Sequence, residues 1–346
     1  MQRAAGAAFM VAVLASVGVF GMFGASGSEV PDVQVPLCPS TVEVPGLGVV
    51  CRRADTLLSV FAPDGSFVGA THGTDPVPAE LPDLPLFEQP GTQPTCVDES
   101  QQQVEPHTEL LYARAHDDLD RYGLKAQAVR NLTRSANGVL AAAAVATGGL
   151  AALKVLCAEG QMIVRNETLP TDMADASFAT VANDLQAKGY SLPHVKYLVY
   201  YDDPGACGCA GAANLWFDDL PGPANLNNGV APMFAIDFGY DSTLVMLHEL
   251  SHTMGAVQSS APHTTGAGHC WDGRDIMCYN DGGPNGGMYT SGICASSVYD
   301  CGHDDYFHRN PDPTSYLATH WNLGAPWNRF LHTGPPLDVR LAAPSL

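Results

Sequence analysis

The stretch with the densest chemical content is His248-Glu249-Leu250-Ser251-His252-Thr253-Met254-Gly255. On a helix, residues four apart share one face, so His248 and His252 can present two imidazoles to one metal ion. Neutral imidazole is a good zinc ligand, and three protein ligands with one open position make a catalytic rather than a structural site. Glu249 follows the first His, where its carboxylate is placed to act as general base toward water at the metal. Gly255 stands where a helix can end in a left-handed residue, turning the chain back toward the metal. A bare H-E-x-x-H arises by chance. The helix-stopping Gly and the downstream Asp275-Ile276-Met277-Cys278-Tyr279 make chance a poor explanation.

His248 to Gly255 resembles the zinc helix of the metzincin metalloproteases, and Ile276-Met277-Cys278-Tyr279 resembles their Met-turn. The likeness covers roughly residues 241–279. It implies a Met beneath the zinc, here Met277. It also implies, from astacin- and serralysin-like members, a Tyr two residues later that helps to stabilise the oxyanion, here Tyr279. The family pattern H-E-x-x-H-x-x-G-x-x-H places a third His where this chain has Gln258. An amide oxygen is a weaker zinc ligand than imidazole, so the third ligand is open. His263 is the favoured candidate, since Pro262 stiffens its approach and it lies nearest to the usual position. His269 is the alternative, with Gln258 and Asp272 behind it. Asp272 and Asp275 lack the ordered spacing of a calcium loop and read as acids that brace a loop. His303, His308 and His320 read as fold or surface residues.

The elements that must position these groups alternate between strand and helix. Residues 48–51 form a strand candidate, and residues 57–68 read as a hairpin around Pro63-Asp64-Gly65. Residues 76–94 are a proline-dense linker. Strands are expected over 109–114, 150–156, 161–164, 195–201, 214–217 and 233–238. A long helix is expected over 118–146, with Leu124, Ala128, Leu132, Val139 and Leu140 facing inward and Thr147-Gly148-Gly149 ending it. Its later half is apolar but Ala-rich, which reads as a buried helix rather than a membrane span. A second helix over 173–188 has Asp172 as its cap, and Asp241-Ser242 caps the helix that carries His248. This order predicts an α/β (α+β) fold. It is also compatible with a metzincin-like catalytic domain, in which a twisted sheet and a backing helix precede the zinc helix and a loop-rich lower subdomain follows. By the resemblance, a strand upstream of the zinc helix rims the cleft and pairs with extended substrate; 214–217 is the segment chosen for it. A short final helix and cap are expected over 312–330.

At 346 residues the chain is long enough for a sizeable buried core. Its net charge of -20 argues against nucleic acid or an anionic membrane as partner. Residues 1–27 read as a secretory signal: Arg3, an apolar run, then small residues. An even count of ten cysteines in an exported chain points to disulfides. Spacing offers Cys38–Cys51, Cys270–Cys278 and Cys294–Cys301 as local staples. Cys207-Gly208-Cys209 is too tight to favour an internal bridge, so each of its cysteines is expected to pair elsewhere. The resulting organisation is a signal at 1–27, an N-terminal extension or pro-segment at 28–95, a metalloprotease domain at 96–335 and a tail at 336–346.

The expected function is a secreted zinc endopeptidase acting on peptide or protein substrates. Zn2+ is held by His248, His252 and His263 (or His269), Glu249 and Tyr279 are catalytic, and Met277 lies in the Met-turn. Two alternatives stand beside it: a catalytically silent binding protein with a structural zinc, and a metal-dependent amidase.

Overall fold

Among the described residues, thirteen strands and four α-helices make a mixed α/β structure dominated by sheet. A computed structural model describes residues 38, 40–77, 93–203, 207–285, 287, 294 and 298–334. The expected signal (1–27), most of the proline-dense linker and the tail lie outside the described residues. The chain begins with an antiparallel meander: β1 (Val42–Val44), β2 (Gly48–Arg52), β3 (Leu58–Phe61) and β4 (Phe67–Asp75). The turn between β3 and β4 is the expected one, closed by a bond from the Gly65 N–H to the Ala62 carbonyl at 2.8 Å.

After the linker come β5 (Thr95–Asp98), β6 (His107–Ala115), α1 (Tyr122–Ala146), β7 (Leu150–Ala158), β8 (Gln161–Met162) and β9 (Val164–Leu169). Then follow α2 (Phe178–Ala187), β10 (Val195–Tyr201), β11 (Gly211–Asn214), β12 (Met233–Asp237), α3 (Thr243–Thr253), α4 (Tyr316–Thr319) and β13 (Leu331–Gly334). The sheet runs β1-β2-β3-β4-β11-β12-β10-β6-β7-β13, with β5 and β8 paired to β7 and β9 to β6. The centre, β12-β10-β6, is parallel. Parallel strands are covered on both faces, and alternate residues divide between two cores accordingly. Leu110, Tyr112, Leu198, Tyr200 and Ala235 face α1 and α3, while Leu111, Ala113, Val199, Phe234 and Ile236 face α2. The meander is therefore part of the main sheet. β4 adds antiparallel to β11 and carries the sheet onward.

Several expected boundaries shift for physical reasons. The strand expected at 214–217 is Gly211–Asn214, and it is no free edge: β12 and β4 flank it on both sides. In α1 the inward positions include Ala126, Val129, Thr133, Ala136 and the expected Val139 and Leu140, with Leu132 half-buried against the same core, whereas Leu124 is 79% exposed and Ala128 only partly covered. The second helix starts at Phe178, capped by Ser177 and Thr180 in a reciprocal capping box, and Met173–Asp175 is only a 3-10 turn. Asp172 makes no side-chain cap bond.

Residues after α3 form a loop-rich layer whose Met254, Ile276, Met277, Tyr299, Phe307 and Trp321 share the core beneath α1 and α3. Gly255 ends α3 with φ 98°, and a Cβ there would lie 2.6 Å from Trp321 Nε1. Both the left-handed backbone and the close approach demand glycine.

All ten cysteines pair: Cys38–Cys51, Cys96–Cys157, Cys207–Cys209, Cys270–Cys278 and Cys294–Cys301. The three expected staples are present. Cys207 and Cys209 do bridge to each other, contrary to expectation, because Gly208 at φ 65° folds the short loop back on itself. Cys96–Cys157 ties β5 to its parallel neighbour β7. Five disulfides fit an oxidising compartment. Among the described residues no helix is long and apolar enough to cross a membrane.

Candidate metal centre

Helix α3 delivers the first two imidazoles as its periodicity requires. Ser242 caps it, accepting from the Val245 N–H at 3.4 Å. His248 and His252, one turn apart, bring their Nε2 atoms to 3.0 Å. The third imidazole belongs to His269, whose Nε2 lies 3.3 Å from that of His248 and 3.2 Å from that of His252. Nitrogens bound to one tetrahedral zinc at about 2.0–2.1 Å stand roughly 3.3–3.4 Å apart, close to these spacings.

The other nitrogen of each ring is committed. His248 Nδ1 meets the Ile276 carbonyl at 2.7 Å, His252 Nδ1 the Ala256 carbonyl at 2.6 Å and His269 Nδ1 the Asp281 carboxylate at 2.8 Å. Carbonyls and carboxylates only accept, so Nδ1 carries the proton in each ring. With every Nε2 unprotonated the three lone pairs would meet at one point, an arrangement that a cation relieves. Without one, burial lowers His269 but the Asp281 and Asp75 carboxylates outweigh it and push it up to about 9, so a proton on Nε2 faces Asp75. Burial, followed by the neighbouring imidazoles, holds His252 well below the usual histidine range, so it stays neutral. The donor set fits a metal, and the outer bonds are those that orient metal-bound imidazoles.

His263, the favoured third ligand, is elsewhere. Its Nδ1 faces Asp272, Asp304 and Asp305, because the chain from Ala261 to Thr265 turns away before His269 brings it back. Gln258 is no ligand either. Its Nε2 donates to the carbonyls of Trp216 and Gly255, and its Oε1 accepts from the Asp218 N–H. Asp275 braces the loop, accepting from the Met277 and Cys301 N–H groups and the Tyr306 hydroxyl. Met277 is fully buried in the layer under α3, and the carbonyl of its neighbour Ile276 orients His248.

Sequence reasoning missed Asp75, at the end of β4. Its Oδ1 stands 3.1 Å from His269 Nε2 and its Oδ2 3.4 Å from His248 Nε2, on the fourth side of the imidazole cluster. The Tyr279 hydroxyl donates to Asp75 Oδ1 at 2.5 Å. Burial alone would raise Asp75, but the imidazoles of His72 and His248 hold it well below the usual carboxylate range. His72, also from β4, stacks on His252 with ring centroids 3.8 Å apart.

Glu249 is fully buried, and neither carboxyl oxygen has a hydrogen-bond partner. It fits only because β11 offers Gly211 beside it, where any Cβ would run into the carboxyl group. Burial, then the neighbouring Asp75 carboxylate, pushes Glu249 well above the usual range. No signal in the sequence pointed to Asp75 or His72, since only the pairing of β4 with β11 brings them here. Asp281, two residues past Tyr279, was visible as a carboxylate after the Met-turn segment.

No protein-family model, no curated protein and no solved structure matches the chain.

Proposed function

We propose that this chain is an exported zinc endopeptidase of metzincin type, held latent by its own N-terminal strands. The observation that carries the reading is the convergence of three imidazole Nε2 atoms, each ring held through Nδ1, beside the buried Glu249, whose carboxyl oxygens have no hydrogen-bond partner. His248, His252 and His269 would hold the zinc, with Asp75 on the remaining side. Zinc bound there supplies Lewis-acid chemistry, polarising an amide carbonyl and acidifying water. The protein's own groups do the rest. Glu249 accepts a proton from the attacking water and delivers it to the leaving amine. Tyr279 remains an O–H donor, because burial and Asp75 push its ionisation far up. Once Asp75 withdraws, that O–H is free to stabilise the oxygen that gains charge. The side of β11 now filled by β4 is the slot in which an extended peptide would pair by β-augmentation.

Latency follows from the same geometry. β4 fills the peptide slot and brings Asp75 to the imidazoles. No disulfide joins residues 38–77 to the remainder of the chain. A cut within residues 78–92 would leave the meander held by hydrogen bonds and packing alone. The same closed fourth side favours a second reading, a catalytically silent protein with a structural zinc.

Hydrolysis of a mixed peptide pool separates the two, with the zinc-loaded parent, the parent cut within residues 78–92 and freed of its N-terminal strands, and the same cut form of Glu249→Gln. The expected outcome is little cleavage by the intact parent, strong cleavage by the cut form, and a loss of roughly 10²–10⁴-fold in cut Glu249→Gln with zinc retained. If the cut form, folded and zinc-loaded, cleaves nothing, the silent reading takes its place.

A further inference from the structure

We infer that His263, Asp272, Asp304 and Asp305 form a second divalent-metal site, of zinc type, separate from the tripod of His248, His252 and His269. The four side chains arrive from two loops. One is the return loop after α3, which carries His263 and Asp272. The other is the turn that Asp300 organises by accepting from the N–H groups of Asp304 at 3.1 Å, Asp305 at 3.2 Å, Tyr306 at 2.8 Å and Phe307. Together they bring Asp272 Oδ2 to 3.1 Å, Asp305 Oδ2 to 3.2 Å and Asp304 Oδ1 to 3.7 Å from His263 Nδ1. One donor atom from each of the four lies within 4.8 Å of every other.

This cluster is more than a patch of acids. Asp272 is 1% exposed, yet its Oδ1 has no hydrogen-bond partner, and Asp304 Oδ1 has none either. The side chain of Asp305 is wholly buried. His263 Nδ1 carries at most one proton, so it can satisfy only one of the three carboxylates that face it. Even a protonated His263 donates from Nδ1 to only one of the three carboxylates it faces, and two of them, Asp272 and Asp305, are buried, a placement that is costly without a cation beside them. A divalent ion at the common centre takes all four donors at once. Calcium draws on oxygen ligands alone, whereas one imidazole with carboxylates suits zinc. Four protein donors with no open position make a closed, structural site. Such an ion would clamp the return loop whose next histidine, His269, completes the tripod. His263 would then be a metal ligand after all, of a different ion.

The test counts zinc per chain, by elemental mass spectrometry after dialysis at a fixed low free-zinc concentration. Parent, His269→Ala and Asp272→Asn/Asp305→Asn are compared, each checked for native circular dichroism. The expected counts are about two for the parent and about one for each variant, one ion per four-ligand set. Since the double variant changes buried residues, Asp304→Asn gives a second measure. Its partly exposed side chain tolerates the change, and it should release one zinc at a free-zinc level where the parent keeps both. One zinc in the parent, lost entirely in His269→Ala, overturns the inference and leaves the tripod standing. Two zinc ions kept by both Asp304→Asn and the double variant also overturn it. Loss confined to the aspartate variants, with His269→Ala unchanged, would instead defeat the tripod reading and leave this one intact.

Discussion

At the scale of single residues, the centre is defined less by its three imidazoles than by what holds them. The Ile276 and Ala256 carbonyls and the Asp281 carboxylate fix all three rings in one tautomer. Asp281 is the one side chain among these anchors, so it is the one that can be changed. Asp281→Asn should keep the fold but weaken zinc binding about 10–100-fold, read by competition with a chromophoric chelator. His248, Glu249 and His252 were legible in the sequence because helical spacing alone puts them together. The third ligand was not, because a loop without period decides whether His263 or His269 returns to the helix. Proximity in sequence favoured His263. The loop instead spends that residue on the Asp272 and Asp305 carboxylates and returns with His269. Asp75 could not be read at all, since its position depends on a strand pairing far away in the chain.

At the scale of elements, α3 works because it stops where it does. The left-handed Gly255 and its contacts with Trp321 and Asn227 turn the chain so that the Ala256 carbonyl meets His252 Nδ1. Gly255→Ala should cost roughly 2–4 kcal/mol in urea unfolding, from backbone strain together with overpacking. An unchanged midpoint would refute this account of the helix end. The central strands were legible because β10 is an unbroken apolar and aromatic run apart from Lys196, as a strand buried on both faces must be. The later half of α1 was legible as well, with Val139 and Leu140 buried as expected and Leu132 packed on the same core. Its first turns were not, because an Ala-rich sequence gives a weak period and Leu124, the large apolar residue there, faces out. The cap of α2 was missed because Ser177 and Thr180 make their capping box with Thr in the place where Glu or Gln is usual.

At the scale of the whole molecule, acidity and burial together set how stability depends on pH. Asp237, at the end of β12, is fully buried with Oδ2 unpartnered, and burial pushes it up to about 7. Its native pKa exceeds the unfolded value near 3.9, so its contribution is full below about pH 4 and is lost as the pH rises through about 7. The metal-free parent should therefore be less stable at pH 8 than at pH 5, by up to about 3 kcal/mol from this group, at about 1.4 kcal/mol per unit between pH 5 and pH 7. Asp237→Asn should flatten that slope in urea titrations at the two pH values. The mixed α/β class and three of the five disulfides were legible from alternation and spacing. That the N-terminal meander continues the main sheet was not, because edge pairing leaves no mark in a strand's own sequence. The proposed activity and its latency turn on whether a cation stands among the three Nε2 atoms. An anomalous difference map at the zinc edge, from crystals of the full chain, examines that directly. The account predicts a peak within bonding distance of His248, His252 and His269 Nε2 and of the Asp75 carboxylate. A zinc-loaded crystal with no peak there would contradict it.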